Sequence, residues 1–306
     1  MMEILGKTNI DFMGKRNMAF MVSGILVFSG LWAIVWILMG SANLGIDFSG
    51  GTAVQLKFDK PLSIEEARRA VEKHGLGEAE LQEFTQDQKL LVRVKTEHTI
   101  EEEVGKNIIQ AFESEFPGHA FVVDSSTSIG PTIGKKLQED ALVAILLSLF
   151  GIMFYIAVRF EFRFGVAAAI ATFHDVLAVL GIYFLLNKEI TLLVVTALLT
   201  LAGYSLTDTV VVFDRIRENL RQRRREPVPS IINNGINQVL SRTLITTLTV
   251  VLVLVPLTLF GGEVLHDFSL ALLLGVIIGT YSSVFVASPL LWLWPGAEGK
   301  LLRKIK

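Results

Sequence analysis

The sequence predicts an α-helical polytopic membrane protein with six transmembrane helices and one α+β ferredoxin-like extracytoplasmic domain between helices 1 and 2. Three observations carry that expectation. The 306 residues are 51% hydrophobic and only 19% charged, with a mean hydropathy of +0.53, whereas a soluble chain stands nearer a quarter charged. Six apolar runs are each long enough to cross a hydrocarbon core about 30 Å thick, which takes roughly 20 helical residues. The segment between the first two runs is polar and alternates like short strands and helices.

Composition also limits function. The chain has no cysteine, so disulfides, thiol catalysis and thiolate metal sites are excluded. A net charge of −2 argues against nucleic-acid binding. The five histidines show no metal-ligand spacing, and nothing calls for a metal or a soluble cofactor.

Residues 1–17 form a short polar cytoplasmic N-terminus. The run 18–40 ends near Gly40-Ser41-Ala42, a small-residue cleavage pattern. A signal core is usually about 7–15 residues; this run is longer and reads as an uncleaved membrane helix. Residues 41–140 form the soluble domain. In 52–58, Val54, Leu56 and Phe58 share one face of a half-buried strand. Ser63-Ile64-Glu65-Glu66 is a capping box opening a helix that stops at His74-Gly75. Strand-like runs follow at 80–84 and 89–95. Thr99-Ile100-Glu101-Glu102 is a second capping box, its helix ending near Phe116-Pro117-Gly118, and 120–124 is a last short strand. Strand, helix, two strands, helix, strand is the split βαβ order.

The runs 141–158, 164–186, 190–213, 239–262 and 268–294 complete the helices, and 295–306 is a cytoplasmic tail. Basic residues set the orientation. Lys7, Lys15 and Arg16 precede the first helix, and Arg159 and Arg163 lie between the second and third. Arg215, Arg217, Arg221, Arg223, Arg224 and Arg225 fill the loop after the fourth, and Lys300, Arg303, Lys304 and Lys306 close the chain. Both termini are therefore expected in the cytoplasm and the soluble domain outside. Gly151, Gly165, Gly181, Gly203, Gly275 and Gly279 are expected to permit close helix packing.

Three charged groups lie inside apolar runs. A charge at the centre of a membrane helix costs about 2.5–3.5 kcal/mol on insertion scales, so a chain keeps it where a partner or a proton neutralises it. Asp208 sits near the inner end of the fourth helix and Arg242 near the inner start of the fifth, so an Asp–Arg pair is expected. Asp208 shares a face with Ser205 and Tyr204, and Arg242 with Thr246 and Thr249. The competing readings are an Asp solvated at a helix end and an Arg that snorkels. His174-Asp175, in the third helix, reads as a hydrogen-bonded pair joining helices or as a second relay.

Four segments give a sharper reading. They are Gly45-Ile46-Asp47-Phe48-Ser49-Gly50-Gly51-Thr52, then Ser128-Ile129-Gly130-Pro131-Thr132-Ile133-Gly134, then the run from Gly203 through Asp208 to Asn219, and Ser241-Arg242-Thr243-Leu244. Together they resemble the SecD/SecF family of protein-export membrane proteins, of the resistance-nodulation-division superfamily. Thr207 departs from the pattern, which more often has Asn before the acid. The resemblance implies that this chain is one six-helix half of a transporter and SecD the other. It implies that Asp208 and Arg242 couple ion movement, with Ser205, Thr209, Thr246, His174 and Asp175 as relay or supporting groups. Asp47, Phe48, Gly50, Gly51, Gly130 and Pro131 are the family-motif residues. It also implies that the outer domain assists a preprotein emerging from the SecYEG channel, with YajC a further candidate partner. Asp208 is expected to take up a proton, so that the proton motive force promotes translocation, with sodium as the alternative ion. The alternative is a half-transporter for lipids or small molecules. An intramembrane aspartyl protease would need Asp175 and Asp208 to face each other, and a passive scaffold would need no buried charge.

Overall fold

The computed structural model describes residues 8–84, 88–95, 101–159, 161–223 and 225–293. Part of the second capping box, Trp294 and the tail 295–306 lie outside them. The elements in order are α1 (Arg16–Leu38), α2 (Ile46–Ser49), β1 (Gly51–Phe58), α3 (Ile64–Lys73), β2 (Glu80–Phe84), β3 (Lys89–Val94), α4 (Glu101–Glu115) and β4 (Phe121–Ile129). Then come α5 (Pro131–Arg159), α6 (Phe162–Leu185), α7 (Leu192–Gln222), α8 (Val228–Phe260), α9 (Gly262–Ser282), a π-helical turn (Ser283–Ala287) and α10 (Ser288–Leu293). Among the described residues, six helical segments have the length and hydropathy to cross a membrane. The chain divides into a sheet unit, Leu44–Ala144 with Glu189–Leu192, and a helical unit made of the rest.

The sheet unit has the expected ferredoxin-like order. Its antiparallel strands run β2-β3-β1-β4. Val54, Leu56 and Phe58 are buried and pack with Ile108 and Phe112 of α4, with the Phe58 and Phe112 rings 5.8 Å apart. Ser63 caps α3 as the capping box requires, its side chain accepting from Glu66 N at 3.2 Å. One strand differs: β4 runs on to Ile129 rather than stopping at 124. Its extension is Ser125-Ser126-Thr127-Ser128, held to β1 by pairs such as Thr52–Ser128, whose hydroxyls lie 2.8 Å apart. An edge strand with exposed side chains has no apolar alternation to reveal it.

The helices outrun their apolar cores. α5 starts at Pro131, well before the apolar run at 141, because proline suits a first helical position. The arginine-rich segment expected as a loop is largely the end of α7, where Arg215 pairs with Glu218 at 2.6 Å and Arg217 approaches Glu161 at 3.9 Å. Asn219 donates to Gln238 at 2.8 Å, tying that end to α8.

Several glycines set helix spacing. A Cβ on Gly30 would stand 2.1 Å from the Leu177 carbonyl, and one on Gly181 would stand 2.1 Å from Ser29 Oγ. α1 and α6 therefore meet almost backbone to backbone. Gly165, Gly275 and Gly279 lie against Ile156, Leu201 and Ser205 as expected. Gly151 and Gly203 do not: a Cβ there meets nothing within 4 Å.

Candidate functional site

Two acids in the membrane-spanning helices have opposite surroundings. Asp175, on α6, is fully buried. Its carboxylate receives the Ser282 hydroxyl of α9 at 2.7 Å, the Ser205 hydroxyl of α7, and the imidazole Nδ1 of His174 at 2.8 Å. A carboxylate only accepts, so that Nδ1 carries the hydrogen. Ser282 immediately precedes the π-helical turn, which widens the helix by one residue where the cluster forms.

Asp208, on α7, is 7% exposed, and its Oδ2 is buried with no hydrogen-bond partner among the described residues. The ion pair expected with Arg242 is not formed. Arg242 lies exposed on α8 and acts on the acid through space rather than by contact. Ser205 shares a helix face with Asp208, but its hydroxyl is committed to Asp175. Thr246, expected to support Arg242, donates instead to its own helix at Thr243 O, 2.9 Å away.

Other buried polar atoms also have no partner among the described residues. They are Thr172 Oγ1 and His174 Nε2 on α6, Tyr204 Oη and Thr209 Oγ1 on α7, and Thr243 Oγ1 on α8. Buried polar groups are normally bonded. The sequence reading missed Ser282, Thr172 and Thr243; hydroxyls in an apolar helix give no periodic signal of their own.

A polar strip runs along the outside of two helices. On α7 it comprises Thr196, Thr200, Gly203 and Thr207, and on α8 Arg242, Thr246 and Thr249, all exposed. The hydroxyls of Thr200, Thr207 and Thr249 donate to carbonyls of their own helices. Thr207, the departure from the family pattern, therefore serves no charged site here.

The glycine motif is a structural joint. Gly50 and Gly51 have φ of 75° and 132°, left-handed values that favour glycine. A Cβ on Gly51 would stand 2.4 Å from Val94 O, and one on Gly134 would stand 3.0 Å from Phe48 O. Gly130 O accepts from Gly134 N at 2.9 Å as α5 begins at Pro131. Phe48 is buried beneath the crossing, and Asp47 Oδ2 accepts from Leu192 N at 2.9 Å.

Comparison with known proteins agrees with this layout. Residues 97–296 match the family described as protein export membrane protein SecD/SecF, C-terminal, and residues 42–62 match the SecD/SecF GG motif. A protein translocase subunit SecF from Thermodesulfovibrio yellowstonii is 48% identical over 295 residues, 96% of this chain and 97% of that one. One from Vibrio alginolyticus is 39% identical, covering 95% of this chain and 91% of its own. The crystal structure of SecDF, a translocon-associated membrane protein from Thermus thermophilus, matches with a TM-score of 0.81 at 37% identity over 94% of this chain. This chain spans 39% of that one. With the family model matching residues 97–296 and a relative 48% identical over nearly the whole length, the chain belongs to the SecD/SecF family of protein export membrane proteins.

Proposed function

We propose that the chain works as the SecF-like half of a SecDF complex in the bacterial inner membrane, using the proton motive force to help preproteins through and out of the SecYEG channel. The observation that carries this is Asp208, an acid buried in a membrane span with Oδ2 unbonded and its cationic neighbour out of contact. An acid in that position is neutralised in turn by a travelling proton and by Arg242. Protonation would release the guanidinium, and loss of the proton inward would draw it back. A charge crossing 100 mV delivers about 2.3 kcal/mol. Full reversal of a two-state equilibrium from 1:99 to 99:1 needs about 5.5 kcal/mol, so one proton biases the cycle and several drive it.

The exposed polar strip on α7 and α8 supports a second transporter half as the partner, since such residues are costly against lipid. SecD fits that role; SecYEG, YajC and the preprotein complete the proposed assembly. The basic residues favour cytoplasmic termini and a periplasmic sheet unit, which would meet the emerging polypeptide. The chain acts in this reading as a transport subunit rather than an enzyme. Asp208→Asn keeps the shape and removes the charge. The expected result is loss of gradient-dependent preprotein transit, with chain abundance and co-purification of the second half unchanged. Transit at the wild-type rate would end the proposal. Collapsing the proton and sodium gradients separately identifies the ion.

A further inference from the structure

The sheet unit holds a second buried acid that the export reading does not use. Glu189 precedes α7, and its side chain is only 6% exposed. Arg93 Nη1 lies 3.1 Å from its Oε2 as an ion pair, and no N–H or O–H of the described residues donates a hydrogen bond to either carboxylate oxygen. The same Arg93 nitrogen donates to Gln82 Oε1 at 3.1 Å. Glu80 pairs with Arg93 across the β2–β3 ladder, so its carboxylate, which receives Lys95 Nζ at 2.9 Å, stands beside the guanidinium that meets Glu189. Two carboxylates are acceptors only, so they bond to each other only through a proton held by one of them.

Around this pair the backbone of the same segment is docked. Ile190 forms a parallel bridge with Leu44, and its carbonyl accepts from Gly45 N at 3.0 Å. Leu192 N donates to Asp47 Oδ2 at 2.9 Å. We propose that Glu80 and Glu189, closed in by Arg93 and Lys95, form a second proton-binding site whose shared proton latches Glu189–Leu192 onto the sheet unit. Leu192 is the first residue of α7, so the latch governs how firmly the chain is held where it enters the helix that carries Asp208.

The charges around Glu189 set the working range. Among the described residues they are Glu80 from β2, Arg93 from β3 and Lys95 just beyond it. Burial and the bond to Glu80 push Glu189 up to about 8, against the pull of Arg93. Glu80 is opposed by its own burial but ends below its usual value, because the bonds from Glu189 and Lys95 outweigh it. For an acid raised on folding, the stabilisation is present in full below its ordinary value near 4.5 and is lost as pH rises through about 8. The latch is therefore closed in acid and neutral surroundings and opens in alkaline ones.

The test is amide hydrogen exchange on the full chain with its partner half in nanodiscs, corrected for the intrinsic pH dependence. The reporters are the Gly45 and Leu192 amides, with the β1 amide of Val54 as a control for global opening. Between about pH 6 and about pH 9.5 the reporters should lose about tenfold in protection while Val54 keeps its own. Glu189→Gln, whose amide donates to Glu80 at any pH, should stay protected throughout. Glu80→Gln, whose amide donates to ionised Glu189, should likewise keep its protection at high pH. Flat wild-type protection, or a Glu189→Gln variant that follows the wild type, overturns the latch. This inference goes beyond the export reading: its test needs neither a gradient nor Asp208, so either can fail alone.

Discussion

Asp175 and Asp208 are the same residue type, both buried in apolar helices, and they differ in what surrounds them. Asp175 gathers donors from three helices and joins α6, α7 and the end of α9. Asp208 has an oxygen with no partner and a cation beyond contact. A buried carboxylate with its bonds satisfied is a structural joint, because moving it breaks several charge-assisted bonds at once. One left short of bonds is kept at a cost to stability, and in the proposed cycle it is the group that gains and loses the proton. Burial alone does not separate the two roles; the partner list does.

The largest expected effect comes from exchanging those fates. Asp175→Ala strands the buried Ser205 hydroxyl and an imidazole N–H and leaves Ser282 only its bond to Gly279 O, so it should cost several kcal/mol, about 3–5 by analogy with broken buried pairs. Asp208→Asn removes no hydrogen bond at Oδ2 and should change stability by less than about 1 kcal/mol while abolishing coupling. Denaturant unfolding in detergent, run beside transit assays, reads both. Equal destabilisation by the two variants would erase the contrast.

The next effect concerns close approach. Gly181→Leu forces a side chain into the backbone of α1 and should cost about 1–3 kcal/mol or more, seen as a lower unfolding midpoint. Gly203→Ala meets open space and should gain up to about 1 kcal/mol in the isolated chain from helix propensity. If the strip containing Gly203 seats the second transporter half, the same variant should weaken co-purification of that half. Destabilisation of the isolated chain by Gly203→Ala would show that its surroundings are misread.

The sequence revealed most where periodicity and cost are strong. Six spans, the βαββαβ order and the oddity of Asp208 each stand on a local signal: a long apolar run, an alternation, a charge among hydrocarbons. The length of β4 was not legible, because Ser125 to Ser128 carry no apolar pattern. Nor was the α7 extension, because arginines read equally as loop or as the polar end of a long helix until Glu218 and Gln238 are seen to meet them. The Glu80–Glu189 pair was invisible for another reason. Its members lie far apart in the chain, Glu80 in β2 and Glu189 just before α7, and only tertiary docking brings them together. Ser205 shows the limit of the face rule: an offset of three places it on the face of Asp208, while its hydroxyl bonds Asp175.

That double placement yields the smallest and most discriminating prediction. If Ser205 relays protons to Asp208, Ser205→Ala should slow transit as severely as Asp208→Asn. If it only holds Asp175, it should cost about 1 kcal/mol, the usual net worth of one hydrogen bond, and leave transit near wild type. Ser282→Ala supplies the control, since Ser282 bonds the same carboxylate oxygen from the other side, on α9. The two single variants should have similar stability losses, and the double variant should lose more than their sum, because Asp175 Oδ2 would then be left with neither serine donor. Transit that falls with Ser205→Ala but not with Ser282→Ala would return Ser205 to the proton route and make the two acids one connected system.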